Sequence, residues 1–211
     1  MSQPRLPRRQ RRAQLLNAAR EVFVETGYHA ASMDDIAARA GVTKPVLYQH
    51  FGSKRDLYLA VLDSGAMAFA ESIELALQST ANNQERVTAT VSAYLDFMSR
   101  DDATYRLVFE SDLVNAPDVR ERVERVNHMG ATMVARIISE DTDLSEEEAM
   151  LLAYGLMGMA QSAGHRFLTG HEHIDKHTAA KLVAGLAWRG ISGFPRSDNQ
   201  PLTTAQTLGA E

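Results

Sequence analysis

The chain has 211 residues, 45% of them hydrophobic and 23% charged, ordinary values for a soluble globular protein with one sizeable core or two modest ones. It contains no cysteine, which excludes disulfides, thiolate metal sites and cysteine catalysis and suits a reducing compartment. The net charge of −5 hides an asymmetry: residues 1–60 hold ten Lys and Arg against five Asp and Glu, whereas residues 61–211 hold twelve against twenty-two, so a basic front that attracts phosphate precedes an acidic body. Arg5, Arg8, Arg9, Arg11 and Arg12 are followed by no apolar run of signal-peptide type. The most apolar stretch, residues 149–164, is too short to span a bilayer and carries Gln161 and Ser162. A cytoplasmic protein is the expectation.

In chain order, almost everything reads as helix, and no stretch alternates as an exposed strand does. Helix 1 is predicted over 8–26, with Leu15, Ala19, Val22 and Phe23 as its apolar stripe and Gly27 as its stop. Ser32 caps helix 2, and Asp35 completes a capping box. Gly41 closes that helix. Thr43 caps a short helix 3 ending near Phe51, and Ser53 caps a helix 4 reaching about Thr80. Later helices are predicted over 84–100, 103–113, 117–139, 145–167 and 175–191. Pro117 suits a first turn, and Ser145 with Glu148 forms a second capping box. The polar residues after Phe194 read as disordered. The expected fold class is all-α.

Residues 32–51 carry the functional signal. Two short capped helices are joined through Ala40-Gly41-Val42-Thr43, and Ile36, Ala37, Ala40, Val42, Leu47 and Phe51 supply a small core against helix 1. This is helix-turn-helix grammar. Lys44, Pro45 and Val46 stand at the N-terminal end of helix 3, where a recognition helix meets base edges. Lys44 suits guanine O6 and N7, and Val46 a thymine methyl. Tyr48 and His50 suit phosphates, and Thr43 adds a hydroxyl beside free amides. Lys54, at the start of helix 4, suits the flanking backbone, and Ser32 joins the candidate DNA-binding set. The five N-terminal arginines suit a mobile arm on phosphates or in a minor groove. Taken singly, each of these residues is also an ordinary surface residue.

The stretch resembles the tetracycline-repressor (TetR) family. The resemblance rests on residues 18–28, on Ser32-Met-Asp-Asp-Ile-Ala, on Ala40-Gly-Val-Thr-Lys-Pro-Val-Leu-Tyr-Gln-His-Phe51 and on Ser53-Lys-Arg-Asp-Leu, in the family's usual order and spacing. It implies a three-helix head, a body of six or so helices that binds ligand and dimerises, and a homodimer on a palindromic operator. It also implies DNA contacts at Thr43, Lys44, Tyr48, His50 and Lys54. Domain bounds are expected at 1–54 for the arm and head, 55–194 for the body and 195–211 for the tail. Residues 105–112 and Gly155-Leu-Met-Gly-Met further resemble FasR-type regulators of fatty-acid synthesis, which implies long-chain fatty acyl-CoA as effector.

An acyl chain needs an apolar tunnel with adaptable walls, and methionine lines such walls well. The candidate ligand-binding residues are Tyr94, Phe97, Met98, Tyr105 and Phe109, with Met129, Met133, Met157 and Gln161 further along. The same stripe describes a plain helical core. Arg106, Arg125, Arg136 and Arg166 are candidates for CoA phosphates. The dimer is expected through helices 8 and 9, by Leu152, Leu156, Met159, Leu182 and Leu186, with Gly155 and Gly158 allowing close packing. An enzyme is disfavoured, because no nucleophile elbow, phosphate loop or HExxH occurs. A metal sensor stays open through His171, His173 and His177 beside Glu172 and Asp175, and an efflux or catabolic repressor stays open as well. No metal or other cofactor is expected.

Overall fold

The computed structural model describes residues 6–100, 104–109, 113, 115–170 and 174–191. They form nine helices: α1 Arg8–Ala30, α2 Met33–Arg39, α3 Lys44–His50, α4 Lys54–Gln78, α5 Asn83–Met98, α6 Thr104–Phe109, α7 Pro117–Asp141, α8 Glu146–Thr169 and α9 Lys176–Ile191. No strand occurs among the described residues. No helix among them is long and apolar enough to cross a membrane. The expected tail, 195–211, lies outside the described residues.

The helix starts follow local chemistry. Ser32 Oγ accepts from Asp35 N at 3.1 Å, and Asp35 Oδ2 accepts from Ser32 N at 3.3 Å, so the capping box is complete. Ser145 and Glu148 do the same for α8. Ser53 Oγ accepts from Asp56 N at 3.0 Å ahead of α4. Two caps had no sequence expectation as such: Asn82 Oδ1 accepts from Glu85 N before α5, and Asp175 Oδ1 accepts from Thr178 N before α9.

Helix α1 breaks at Gly27, where the sequence placed its stop. The glycine adopts φ 75°, which kinks the helix, and a separate short turn follows to Ala30. That turn is held from outside. The Tyr28 ring lies 6.0 Å from Phe23 and 4.9 Å from Tyr58, and the turn's carbonyls are bound by Lys54.

The chain divides into two compact units, Met1–Glu71 with Asp96–Val126 and Ser72–Leu95 with Asn127–Glu211. In the first, Leu15, Phe23, Ile36, Leu47 and Leu57 are wholly buried or nearly so, together with Tyr58, Val61, Leu62 and Val119. The head's core therefore continues past residue 54 into the first half of α4, across the boundary expected from sequence. Arg55 makes a two-pronged ion pair with Asp118, and Arg122 Nε lies 3.0 Å from Asp63 Oδ1, so α4 and the start of α7 are also tied at their rims. In the second unit, Ala131, Ala135, Ala149 and Ala153 let α7 and α8 approach closely around Ile138. Gly130 belongs to the same contact: a Cβ there would lie 3.3 Å from the Met157 methyl.

Candidate nucleic-acid interface

The turn between α2 and α3 rests on Gly41, whose φ of 64° lies in the left-handed region. Val42 N donates to the carbonyl of Ala37 at 3.0 Å, and Gln14 Nε2 of α1 donates to the carbonyl of Ala40 at 2.8 Å. Ile36, Ala37, Ala40, Leu47 and Phe51 are buried, with Val42 packed on their edge, as the sequence predicted. Arg39 pins α2 to α1 through Glu25, at 2.7 and 2.9 Å, and through Glu21 at 3.1 Å. These contacts hold the outward side of α3 at a fixed angle.

That outward side carries most of the expected DNA-binding residues. Thr43, Lys44, Pro45 and Tyr48 are exposed, and Val46 and His50 are half-buried. Thr43 occupies the cap position of α3, but its side chain makes no cap bond, contrary to expectation. The helix starts instead on the Thr43 carbonyl, which accepts from Val46 N and Leu47 N, and on Pro45, which has no N–H to satisfy. Ser32 is committed to its capping box. Gln49 is also exposed beside Tyr48, a position to which the sequence assigned no role.

Two charged residues differ from expectation. Lys44 Nζ is 2.8 Å from Asp34 Oδ2, an exposed pair that raises the lysine pKa through the hydrogen bond. Lys54 does not reach outward. Its ammonium donates to the carbonyls of Tyr28 and Ala31 at 2.8 Å each and of His29 at 3.3 Å, and lies 4.6 Å from the centre of the Tyr28 ring. An ammonium has three protons, and all three are used to close the end of α1. In this structure Lys54, expected at the DNA backbone, thus serves the end of α1.

The arginines are also corrected. Arg8, Arg9, Arg11 and Arg12 lie in α1, as the helix predicted over 8–26 has them, and so do not form a mobile arm; Arg5 is outside the described residues. Arg12 stacks 4.4 Å above the Phe51 ring and donates to the carbonyl of His50 at 3.4 Å, which fastens the start of α1 to the end of α3. The first turn of α1 holds no carboxylate. Burial, and then the charges of Arg8, Arg12 and Arg11, push the His50 pKa below its ordinary value.

Residues 15–61 match the family described as bacterial regulatory proteins, tetR family. Over 90% of this chain and 87% of the relative, the sequence is 44% identical to the HTH-type transcriptional activator FasR of Mycolicibacterium smegmatis. The chain belongs to the TetR family. It is a DNA-binding transcription regulator of that family, with its helix-turn-helix at α2 and α3. A TetR-like regulator from Rhodococcus sp. RHA1 superimposes with a TM-score of 0.70 at 29% identity, covering 90% of this chain and all of that one. The regulator FadR of Bacillus subtilis, solved in complex with stearoyl-CoA, shares the fold with a TM-score of 0.69 at 20% identity, covering 83% and 96%.

In this TetR-family chain the nine candidate ligand-binding residues fall in both units. Phe97, Met98, Tyr105 and Phe109 belong to the first. With Phe69 the three aromatic residues form a ring cluster: Phe69 lies 4.9 Å from Phe97 and 5.8 Å from Phe109, and Tyr105 lies 4.9 Å from Phe109. Tyr94, Met129, Met133, Met157 and Gln161 belong to the second unit. Tyr94 is buried, while Met133, Met157 and Gln161 are half-buried, with Gln161 Nε2 3.4 Å from Asn127 Oδ1. Met129 is 50% exposed. A cavity of about 190 Å³ in the first unit is lined by Asn17, Arg20, Ser64, Arg100 and Thr104 among others, and by none of the nine.

The expected dimer residues divide by helix face. Leu182 and Leu186 of α9 are 61% and 64% exposed, one turn apart. On α8, Leu152 and Leu156 pack against the second unit's own core, and Met159 is half-buried. The residues turned outward are instead Leu151 and Tyr154, 74% and 43% exposed, beside Gly155 and Gly158, where an added Cβ would meet only open space. The shift is a single position, because Ala149 and Ala153 set the inward face. His171 and His173 lie outside the described residues, and no group of three potential metal ligands occurs among the described ones.

Proposed function

We propose that the chain acts in the cytoplasm as a homodimer that grips a palindromic operator in duplex DNA, and that a long-chain fatty acyl-CoA held by its later helices changes that grip, so that fatty-acid synthesis genes follow the supply of product. The observation that carries the reading is the 44% identity with FasR, which extends over 90% of the chain and so well beyond the head; the acyl-CoA effector follows the FasR-type resemblance and is in line with the shared fold of FadR, solved with stearoyl-CoA. A fatty acid metabolism regulator of Bacillus subtilis, 28% identical over 42% of the chain, supports the same class.

The DNA side of the reading follows from charge and exposure. Four arginines at the start of a helix oppose its dipole, and a polyanion at that end offsets the cost. Lys44, Pro45 and Val46 meet base edges, while Thr43, Tyr48, Arg8 and Arg9 meet phosphates. Two copies joined through Leu151, Tyr154, Leu182 and Leu186 would set two recognition helices about 34–36 Å apart, one turn of duplex. The aromatic cluster and the methionines of the second unit supply the adaptable apolar material an acyl chain needs.

The test starts with a duplex selected by the protein from a randomised library. Stearoyl-CoA should change affinity for it by about tenfold or more, which needs only ~1.4 kcal/mol of differential binding; CoA alone should not. No response to acyl-CoA, with a response to zinc or to another hydrophobic compound, would replace this effector.

His50 adds a pH dependence. Free, its pKa is lowered; beside a phosphate it rises. DNA binding then takes up a proton, and affinity strengthens as pH falls through the window between the two values, by up to about tenfold per unit. Fluorescence anisotropy between about pH 8 and pH 6 should show this slope in the wild type and a flatter one in His50→Gln. Equal slopes would remove His50 from the phosphate contacts.

A further inference from the structure

The exposed pair Asp34–Lys44 lies on the outward side of the helix-turn-helix. Asp34 is the second residue of α2, and Lys44 the first of α3. Their side chains are 68% and 48% exposed with 2.8 Å between Nζ and Oδ2. The cap of α2 does not need Asp34, because Ser32 and Asp35 form the box between them. Asp34 stands in the first turn of α2, where the helix dipole favours a carboxylate, and on a surface that meets polyanionic DNA the same charge weakens unselective binding.

We propose that Asp34 and Lys44 read DNA as one unit, a discriminator that favours the edge of a G·C pair over backbone phosphate. The inference rests on the DNA-binding reading of α3. A phosphate offers only acceptors: it can take the proton donors of Lys44 but repels Asp34, and drawing the lysine away leaves that carboxylate uncompensated. A G·C pair in the major groove presents guanine O6 and N7 as acceptors beside cytosine N4–H as a donor. The first pair with Lys44 and the second with Asp34, so both partners of the ion pair are satisfied together. Specificity of this kind comes as much from penalising the wrong partner as from binding the right one.

Wild type, Asp34→Asn, Lys44→Gln and the double variant are compared on two duplexes: one selected by wild type from a randomised library, and a scrambled version of it. Asp34→Asn should bind the scrambled duplex more tightly, and the ratio of selected to scrambled affinity should fall about tenfold. A fresh selection with Asp34→Ala, which removes both the charge and the acceptor for cytosine N4–H, should lose a G·C preference that wild type shows. In the Lys44→Gln background the Asp34 change should leave that position unaltered. Asn keeps an oxygen acceptor at an exposed site, and circular dichroism checks that the variant is folded. An unchanged ratio, or a retained G·C preference, overturns the proposal. Wild type that enriches no sequence at all overturns instead the DNA-binding reading beneath it.

Discussion

Leu47→Ala should lower the stability of the first unit by about 2–5 kcal/mol, the usual cost of an alanine in place of a fully buried leucine. Leu47 has no exposed surface, and it joins α3 to the same core as Leu15, Phe23, Ile36 and Phe51. Its removal leaves a cavity under the helix that carries Lys44, Tyr48 and His50. A domain of this size has roughly 5–15 kcal/mol in total, so the variant should stay folded at low temperature yet lose most of its DNA affinity. Urea denaturation followed by circular dichroism, with anisotropy on a selected duplex, checks both. A loss below about 1 kcal/mol with unchanged DNA binding would show that α3 does not depend on this contact.

Lys54→Met should separate two roles that the sequence confounds. If the ammonium bound phosphate, the variant would be as stable as wild type and weaker only on DNA. The three carbonyls at the end of α1 argue otherwise. Methionine keeps most of the aliphatic stem and removes the donors, which leaves part-buried carbonyls without their charged partner. Hydrogen bonds to charged groups contribute ~1.5–3 kcal/mol, so a loss of about 2 kcal/mol is expected, or about 4–8 °C in Tm for a chain of this length. The Gly27 kink depends on the same closure, so the loss should be larger than for Lys44→Met, whose partner is one exposed carboxylate. Equal Tm values for wild type and Lys54→Met would return Lys54 to the DNA surface.

Much of the head was legible in the sequence because its signals are local. The capping boxes at Ser32 and Ser145 act across three residues, the left-handed turn needs a glycine at position 41, and the buried set Ile36, Ala37, Ala40, Leu47 and Phe51 follows helical spacing. Where spacing was ambiguous, tertiary packing decided. On α8, Leu151 and Leu152 are adjacent leucines, and only the packing of Ala149 and Ala153 against α7 decides which faces out. The helix predicted over 8–26 already included Arg8, Arg9, Arg11 and Arg12, but their charge also suited an arm on phosphate; the fold keeps them in α1, where Arg12 stacks on Phe51.

The residues 32–51 thus determine, by themselves, that a helix-turn-helix forms and which of its side chains are inside. Caps, turn glycine and burial period depend on neighbours within a few positions, and those are written along the chain. Tertiary structure alone decided where the long charged side chains went. Lys44 turned to Asp34, Lys54 turned back to the end of α1, and Arg12 reached the far end of α3. A four-carbon stem or a guanidinium arm can point in many directions at similar cost, so its direction is set by whichever carbonyl, carboxylate or ring the fold brings within reach.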